Sequence, residues 1–434
     1  DLNSLPLAGP VTDNVTAGQT FSKTVPASPY NYAYAILNIG TATNTITFQR
    51  NGAGLNPVIS VTGSSATNDI GMFLYGTDYI SFDGIDITDA GTTSADYLEN
   101  GYYLQGPADD NCKYVSIQNC VIDLNAANTS SKGIYAYANA PTSSANANSN
   151  NIFRGNTIQD SYNGIYLSGN ISFPDVNNFV NSNIIQNIGS NLSTAIYPFY
   201  ATYQSDVIVS DNTVSNVTGS GSIYGMYFSS LTGSNNAITG NILTNQVGTA
   251  TSSTMYGLYY SPSSGAIAEI SGNSIYGLDH KYNVYGLYIS GGNVNNVFRN
   301  KVYNVAYTGT SSYIAYGLSS SGGTTNNIYN NFVYDIKAPA STTNPGTRAF
   351  NLNGGTTANV YYNTVYIDYV STVASNQSAA LYVTTAPTTL NMNNNIFINK
   401  CDMTVGTRAV AFYKSSTALT NLANSVNNNL YYAG

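Results

Sequence analysis

The stretch GIYLSGNISFPDVNNFVNSNIIQNI, residues 164–188, holds one complete unit of a pattern that recurs along most of the chain. Ile165 and Leu167 alternate with Tyr166 and Ser168, as side chains must on a pleated strand. Phe179 lies in a second short segment before Asn183, and Ile184 to Ile188 form a third. Three short strands and three bends make one coil. Working outward, the opening phrase returns as Gly101-Tyr102-Tyr103, Gly133-Ile134-Tyr135, Ala195-Ile196-Tyr197, Gly225-Met226-Tyr227, Gly257-Leu258-Tyr259 and Gly286-Leu287-Tyr288. It continues more loosely through Gly317-Leu318-Ser319, Ala349-Phe350-Asn351, Ala380-Leu381-Tyr382 and Ala409-Val410-Ala411, with successive first residues 29 to 32 apart.

A second landmark is an asparagine between two apolar segments, at Asn119, Asn156, Asn183, Asn212, Asn241, Asn273, Asn300, Asn331, Asn363, Asn395 and Asn429, on average 31 apart. Two independent marks sharing one period identify stacked coils. An antiparallel sandwich also alternates short strands and turns, but it does not explain a period held this long. The expected fold is all-β: a right-handed parallel β-helix solenoid with three short strands per coil and about 12 coils. Homologous apolar residues, Ile134, Ile165, Ile196, Met226, Leu258, Leu287, Leu318, Phe350 and Leu381, should fill its core. The recurring asparagine should take the left-handed backbone of a sharp bend and stack its amides into a ladder, each donating to one neighbour and accepting from the next.

Residues 1–69 match the repeat poorly and are expected to form an N-terminal cap and first irregular coils, with strands near 21–25, 32–39 and 45–48. Residues 70–434 are then the β-helix, expected to be a fragment of a longer chain or to be covered at its end by another chain. Insertions should bulge at 141–150, 262–266 and 339–347, which are rich in turn formers.

Charged residues make up only 8% of the 434 residues, against about a quarter in a typical domain. The 42% of hydrophobic residues, with 39 tyrosines and 14 phenylalanines, is too many for a disordered polar tract. A formal charge of −8 with scattered cations excludes a nucleic-acid surface. No apolar run reaches the roughly 18 residues of a spanning helix, so direct membrane insertion is not expected.

The repeat from about Ile70 to Tyr431, with the phrases Asn44-Thr45-Ile46-Thr47-Phe48 and Asn56-Pro57-Val58-Ile59, resembles right-handed parallel β-helix repeat proteins, especially large secreted surface proteins of Bacteroidetes and related bacteria. The resemblance implies a secreted or cell-surface location. It extends to pectate-lyase-like helices, whose sugar commonly binds outside the first strand, the small-apolar-Tyr segment here. Outward positions there are mostly small residues and tyrosine, where lyases and hydrolases present acids and bases. The reading that follows is a non-catalytic surface or fibre-forming protein for adhesion or structural assembly, partnered by an extended glycan, neighbouring chains or an end-to-end homopolymer. The alternative is a polysaccharide lyase or glycoside hydrolase.

The sharpest surface feature is a tyrosine row, Tyr103, Tyr135, Tyr166, Tyr197, Tyr227, Tyr259, Tyr288 and Tyr382. It reads either as a ligand or partner stripe or as rings that shield the solenoid exterior. Asp78, Asp83, Asp109 and Asp110 are weak calcium candidates, with a solvated rim as the plainer reading and no other cofactor expected. Asp206, Asp211 and Glu269 could divide hydrolytic roles only if two approach within about 5 to 9 Å. Arg154 and Arg299 lie several coils apart. His280 is expected to face solvent in a loop, and Cys112, Cys120 and Cys401 either to cross-link in part or to stay separate.

Overall fold

The computed structural model of the chain describes residues 7–26, 31–37, 39–64, 68–403, 407–422 and 426–434. The chain is an all-β parallel β-solenoid of about 13 turns, with three strands per coil contributed to three sheets, here A, B and C. Ser144–Asn146, a single 3-10 turn, is the one helical element among the described residues.

Contacts divide the chain into two compact units, Asp1–Ser190 with Tyr197–Thr213, and Asn191–Ile196 with Val214–Gly434. In the first unit sheet C runs through Tyr32–Ile36, Ile70–Tyr75, Asn100–Gln105, Lys132–Tyr137, Asn163–Ser168 and Phe199–Thr202. The early strands Val11–Thr16, Thr20–Thr24 and Tyr32–Ile36 pair in parallel with Ile46–Asn51, Val58–Thr62 and Ile70–Tyr75. The described part of residues 1–69 is therefore built of coils in the same three sheets, while residues 1–6, 27–30, 38 and 65–67 of that proposed cap lie outside the described residues. In the second unit sheet C comprises Ile223–Ser229, Met255–Ser261, Val284–Ile289, Ala315–Ser320, Thr347–Leu352, Ser378–Val383 and Ala409–Lys414.

The core follows from the opening phrase. Ile134, Ile165, Met226, Leu258, Leu287, Leu318, Phe350 and Leu381 are fully buried, each worth about 1.5–3 kcal/mol relative to exposure. The small residue before each of them also points inward. A Cβ at Gly257 would come 2.5 Å from Ile275 Cγ2 and 2.7 Å from the Gly286 carbonyl oxygen. Glycine there lets two consecutive residues face the core, so the residue preceding it emerges on the outer face.

At the corner between sheets A and B the asparagines form the ladder, but not with the backbone expected of them. The left-handed residue is the one before: Gly155, Ser182 and Asp211 in the first unit, and Gly240, Gly272, Arg299, Asn330, Tyr362, Asn394 and Asn428 in the second, with φ between 53 and 66°. The asparagine that follows turns its amide inward. Asn156 Nδ2 donates to Asn183 Oδ1 at 3.0 Å, and Asn183 Nδ2 to Asn212 Oδ1 at 2.8 Å. From Asn241 through Asn273, Asn300, Asn331, Asn363 and Asn395 to Asn429 the same bond recurs at 2.8 to 3.0 Å. Each Oδ1 also accepts the preceding asparagine's backbone N–H, as from Asn300 to Asn331 at 3.0 Å. Asn119 is corrected: it is itself the left-handed residue, φ 56°, and donates outward to Asp83 Oδ1 at 2.7 Å. Cys120 takes the ladder place, donating its N–H to Asn156 Oδ1 at 3.0 Å.

Candidate functional site

Because the glycine-apolar pair faces inward, the outer face of sheet C carries two adjacent columns of side chains. Sequence reading found one column and missed the other. In the first unit the second column is Phe73, Tyr103, Tyr135, Tyr166 and Tyr200. Tyr197 is thereby corrected. Phe199 pairs with Ile165 and Tyr200 with Tyr166, whose rings stack at 3.9 Å, while Tyr197 meets Tyr166 edge-on at 6.2 Å. The phrase Ala195-Ile196-Tyr197 lies three residues early because this coil is longer than its neighbours, with Phe199 34 residues after its partner Ile165.

The other column of this unit is Asn100, Lys132 and Asn163. Tyr103 and Tyr135 stack at 4.8 Å, but Tyr135 and Tyr166 meet edge-on at 5.5 Å, and Lys132 lies beside that break. Its Nζ stands 4.9 Å from the Tyr135 ring centre and 5.6 Å from that of Tyr166, and donates to the Ser130 carbonyl at 2.9 Å. Ring faces attract the cation. Burial nonetheless lowers the ammonium pKa below its ordinary value, against the pull of Glu99. Burial, reinforced by neighbouring tyrosines, raises the Tyr103 and Tyr166 hydroxyls and pushes that of Tyr135 up to about 12. The site thus pairs an amine inclined to lose its proton with phenols that keep theirs. Glu99 is buried, with its carboxylate held by the Asp69 N–H at 2.7 Å and Asn128 Nδ2 at 2.7 Å.

In the second unit the columns are Tyr224, Tyr256, Tyr285, Tyr316, Arg348 and Ala379, and beside them Tyr227, Tyr259, Tyr288, Ser319, Asn351, Tyr382 and Tyr413. Rings stack face to face at 5.2, 4.9 and 4.1 Å from Tyr224 to Tyr316, and at 5.0 and 5.3 Å from Tyr227 to Tyr288. Both columns then change character. Arg348 follows Tyr316, its Cζ 3.9 Å from the Tyr382 ring centre and 5.8 Å from that of Tyr316. Ser319 and Asn351 replace tyrosine between Tyr288 and Tyr382. None of the eight tyrosines expected as a stripe is fully exposed, and Tyr103 and Tyr382 are only 8% and 9% exposed.

In neither unit do the strands of sheet C contain an Asp or Glu. Strands of sheets A and B do, Asp13, Asp83 and Glu269 in the first and Asp86, Asp89, Asp123, Asp279 and Asp335 in the second. Sheet C carries Lys132, Arg348 and Lys414 instead, and none of the three has an ion pair among the described residues.

The other candidates fall elsewhere. Asp78 and Asp110 share Lys113, at 3.4 and 2.5 Å, whereas Asp83 sits at the A–B corner with Asn119. Asp109 joins neither pair, and no group of three or more His, Cys, Asp or Glu converges as a metal site among the described residues. Asp206 and Asp211 flank Ile208–Ser210 as left-handed corner residues, held by Ser205 Oγ at 3.2 Å and Asn181 Nδ2 at 3.2 Å. Glu269 accepts from Ser271 Oγ at 2.6 Å. Arg154 ends its strand and Arg299 bends a corner. His280 is corrected: it is a fully buried strand residue whose Nε2 bonds the Ser253 carbonyl, fitted over Gly248, and burial lowers its pKa. All three cysteines are buried free thiols, with pKa values pushed by burial to about 11 for Cys112 and about 12 for Cys120 and Cys401.

One further polar site lies in the first unit, a cleft of about 290 Å³ lined by Gln49, Arg50, Asn56, Asp83, Gly84 and Asn119. Arg50 Nη1 donates to Asn56 Oδ1 at 3.0 Å, and Asn56 Nδ2 to Asp86 Oδ1 at 2.7 Å. Burial raises the Asp86 pKa against the Val121 N–H and Asn56 amide that it accepts.

No protein family and no curated protein matches this sequence. Among solved structures it is similar to a lacto-N-biosidase of Eubacterium ramulus, at 15% identity and TM-score 0.50, covering 84% of this chain and 63% of that one. It is also similar to the A-module of a mannuronan C-5 epimerase of Azotobacter vinelandii, at 13% identity and TM-score 0.49 over 98% and 92% of the two chains. An alginate lyase of a Paenibacillus species matches at 16% identity and TM-score 0.39, over 69% and 90%. This chain spans less than two thirds of the lacto-N-biosidase. Among the described residues no helix is long and apolar enough to cross a membrane. The expectation of a non-catalytic surface or fibre element is corrected by these matches, because the solved structures resembling the chain are mainly carbohydrate-active enzymes; what they share with it is the parallel β-solenoid fold.

Proposed function

We propose that the protein is a carbohydrate-active β-solenoid that cleaves an acidic polysaccharide by β-elimination on the outer face of sheet C. The observation that carries this reading is a face without carboxylates, bearing unpaired cations among tyrosines, in a chain of net charge −8. Tyrosine faces suit sugar rings, and a guanidinium such as Arg348, with no Asp or Glu in the strands of its sheet, suits a uronate carboxylate. Hydrolysis by paired acids has no such pair in these strands.

In the reaction, Lys132, whose ammonium burial makes easier to deprotonate, acts through its free amine to remove the proton from the carbon next to the uronate carboxylate. The electron pair forms a carbon–carbon double bond, the adjoining glycosidic C–O bond breaks, and a Tyr135 or Tyr166 hydroxyl gives its proton to the departing oxygen. Tyr137, its ring 5.9 Å from that of Tyr135, supplies a further hydroxyl donor for the sugar. A polymeric substrate of this kind is met outside the cytoplasm, so the reading carries a secreted or cell-surface location with it.

The test is incubation with a panel of polyuronates, read by the ultraviolet absorbance of the conjugated unsaturated ends. The wild type should produce them, and Lys132→Ala should produce them at least ~100-fold more slowly. Absence of unsaturated ends from every polyuronate overturns the reading.

A second reading, hydrolysis at the Arg50 cleft, is favoured by one observation: Asp83 lines the cleft, and Asn56, which also lines it, donates at 2.7 Å to Asp86, whose pKa burial raises as a general acid requires. Release of reducing ends without unsaturation, abolished by Asp86→Asn, would identify it.

A further inference from the structure

The second unit's outer face contains a place where the aromatic pattern gives way to polar groups. Between Tyr288 and Tyr382 two successive rungs hold Ser319 and Asn351 instead of rings. At about 4.8 Å per rung, Tyr288 and Tyr382 stand three rungs, roughly 14 Å, apart, room for more than one sugar ring between them. Asn351 Nδ2 donates to Ser319 Oγ at 2.8 Å, but Asn351 Oδ1 has no hydrogen-bonding partner, although the residue is only 1% exposed. Arg348, three residues earlier on the same strand, lies face-on over Tyr382, and its Nε is likewise shut from solvent without a partner.

Such unpartnered atoms are costly, since a buried polar group gives up its hydrogen bonds to water and gains none in the fold. A guanidinium stacked on a ring keeps its in-plane N–H edges free, the geometry that takes a carboxylate through two parallel bonds. No Asp or Glu in the strands of this sheet can occupy those edges. We infer that Arg348, Asn351 and Ser319 form a subsite for the carboxylate of a uronic acid residue. Arg348 takes the carboxylate, Asn351 Oδ1 accepts a sugar hydroxyl, and Tyr382 and Tyr288 bound the ring position. This rests on the glycan reading of the sheet C face, but not on the elimination chemistry.

The experiment is calorimetric titration of the full chain with an oligouronate and with the same oligomer after reduction of its carboxyl groups to alcohols. The wild type should bind the uronate roughly tenfold more tightly than the reduced form. Arg348→Gln should erase that difference by weakening the uronate roughly tenfold more than it weakens the reduced oligomer. Arg348→Lys, which keeps the charge and loses the planar fork, should fall between, and intact circular dichroism guards against a folding defect. Equal binding of both oligomers by the wild type, or an undiminished preference in Arg348→Gln, overturns the subsite. Unsaturated ends are scored separately: a preference that depends on Arg348 without any cleavage preserves the subsite and removes the lyase reading.

Discussion

The A–B corner and the outer face of sheet C repeat with the same period, yet they spend it in opposite ways. At the corner, Asn273, Asn300 and Asn331 are shut inside and each amide is saturated by the next. On the face, the tyrosine columns are half-buried and broken by Lys132 in one unit and Arg348 in the other. Unbroken repetition marks a structural device, because every rung satisfies its neighbours. Interruption marks a place where the chain gives up a stacking contact and, at Arg348 and Asn351, leaves a polar atom without a partner in the fold. The contrast locates candidate chemistry without any motif: it lies at the rungs that differ.

Breaking the corner should have the largest effect on stability. Asn300→Ala removes the acceptor for both the Asn273 N–H and Asn273 Nδ2, and the donor to the Ile270 carbonyl. Two stranded donors at about 1–3 kcal/mol each give an expected loss of about 3 kcal/mol. Urea unfolding measures it, and hydrogen exchange should show the Asn273 amide unprotected first. In a stacked array the damage stays with neighbouring coils, so oligouronate binding at the remaining coils should persist. A loss below about 1 kcal/mol would mean that the ladder is incidental.

How far the sequence could be read follows the same division. The solenoid and its corners were legible because Asn183, Asn212 and Asn241 recur with little drift. The left-handed position was not, since asparagine often stands at both places, as in Asn330-Asn331 and Asn394-Asn395, and only backbone angles separate them. Tyr197 misled because Ala195-Ile196-Tyr197 reproduces the repeating phrase, while pairing selects Phe199 and Tyr200. The missed column was present in the letters: Tyr224-Gly225-Met226-Tyr227, Tyr256-Gly257-Leu258-Tyr259 and Tyr285-Gly286-Leu287-Tyr288 each carry two tyrosines. Lys132-Gly133 and Arg348-Ala349 occupy the first of those places. They escaped notice because charges were sought as pairs near one another in sequence rather than as substitutions within a repeat. His280 could not be placed, because its burial depends on Gly248 one coil below.

A smaller effect, and one that depends on pH, should come from Asp175. It is fully buried, accepting the Asn148 N–H at 3.0 Å and Gln204 Nε2 at 3.0 Å, and burial outweighs those bonds, pushing its pKa up to about 8. The folded state therefore holds this proton more tightly than the unfolded chain does. Its stability contribution is complete below the ordinary aspartate value of 3.8 and is lost as pH rises through about 8. Thermal unfolding of the wild type should show a decline across that window which Asp175→Asn lacks. Equal slopes in the two proteins would place the carboxylate in a better-solvated site than its burial indicates.

The smallest effect should come from shortening one aromatic rung. Tyr259 stacks on Tyr227 at 5.0 Å and on Tyr288 at 5.3 Å and meets Tyr224 and Tyr256 edge-on at 5.5 and 4.9 Å, so Tyr259→Leu keeps most apolar burial while losing four ring contacts, at about 2 kcal/mol in total. If these rings served only to cover the solenoid, the loss would appear in unfolding alone. On a glycan-binding face the same substitution also removes one of several stacking surfaces, so oligouronate affinity should fall a few-fold while the preference for carboxylate over alcohol, set by Arg348, stays as it was. Unchanged affinity in Tyr259→Leu would confine the tyrosine columns to a structural role, leaving Arg348 to bind sugar through charge, and such binding would weaken steeply with added salt.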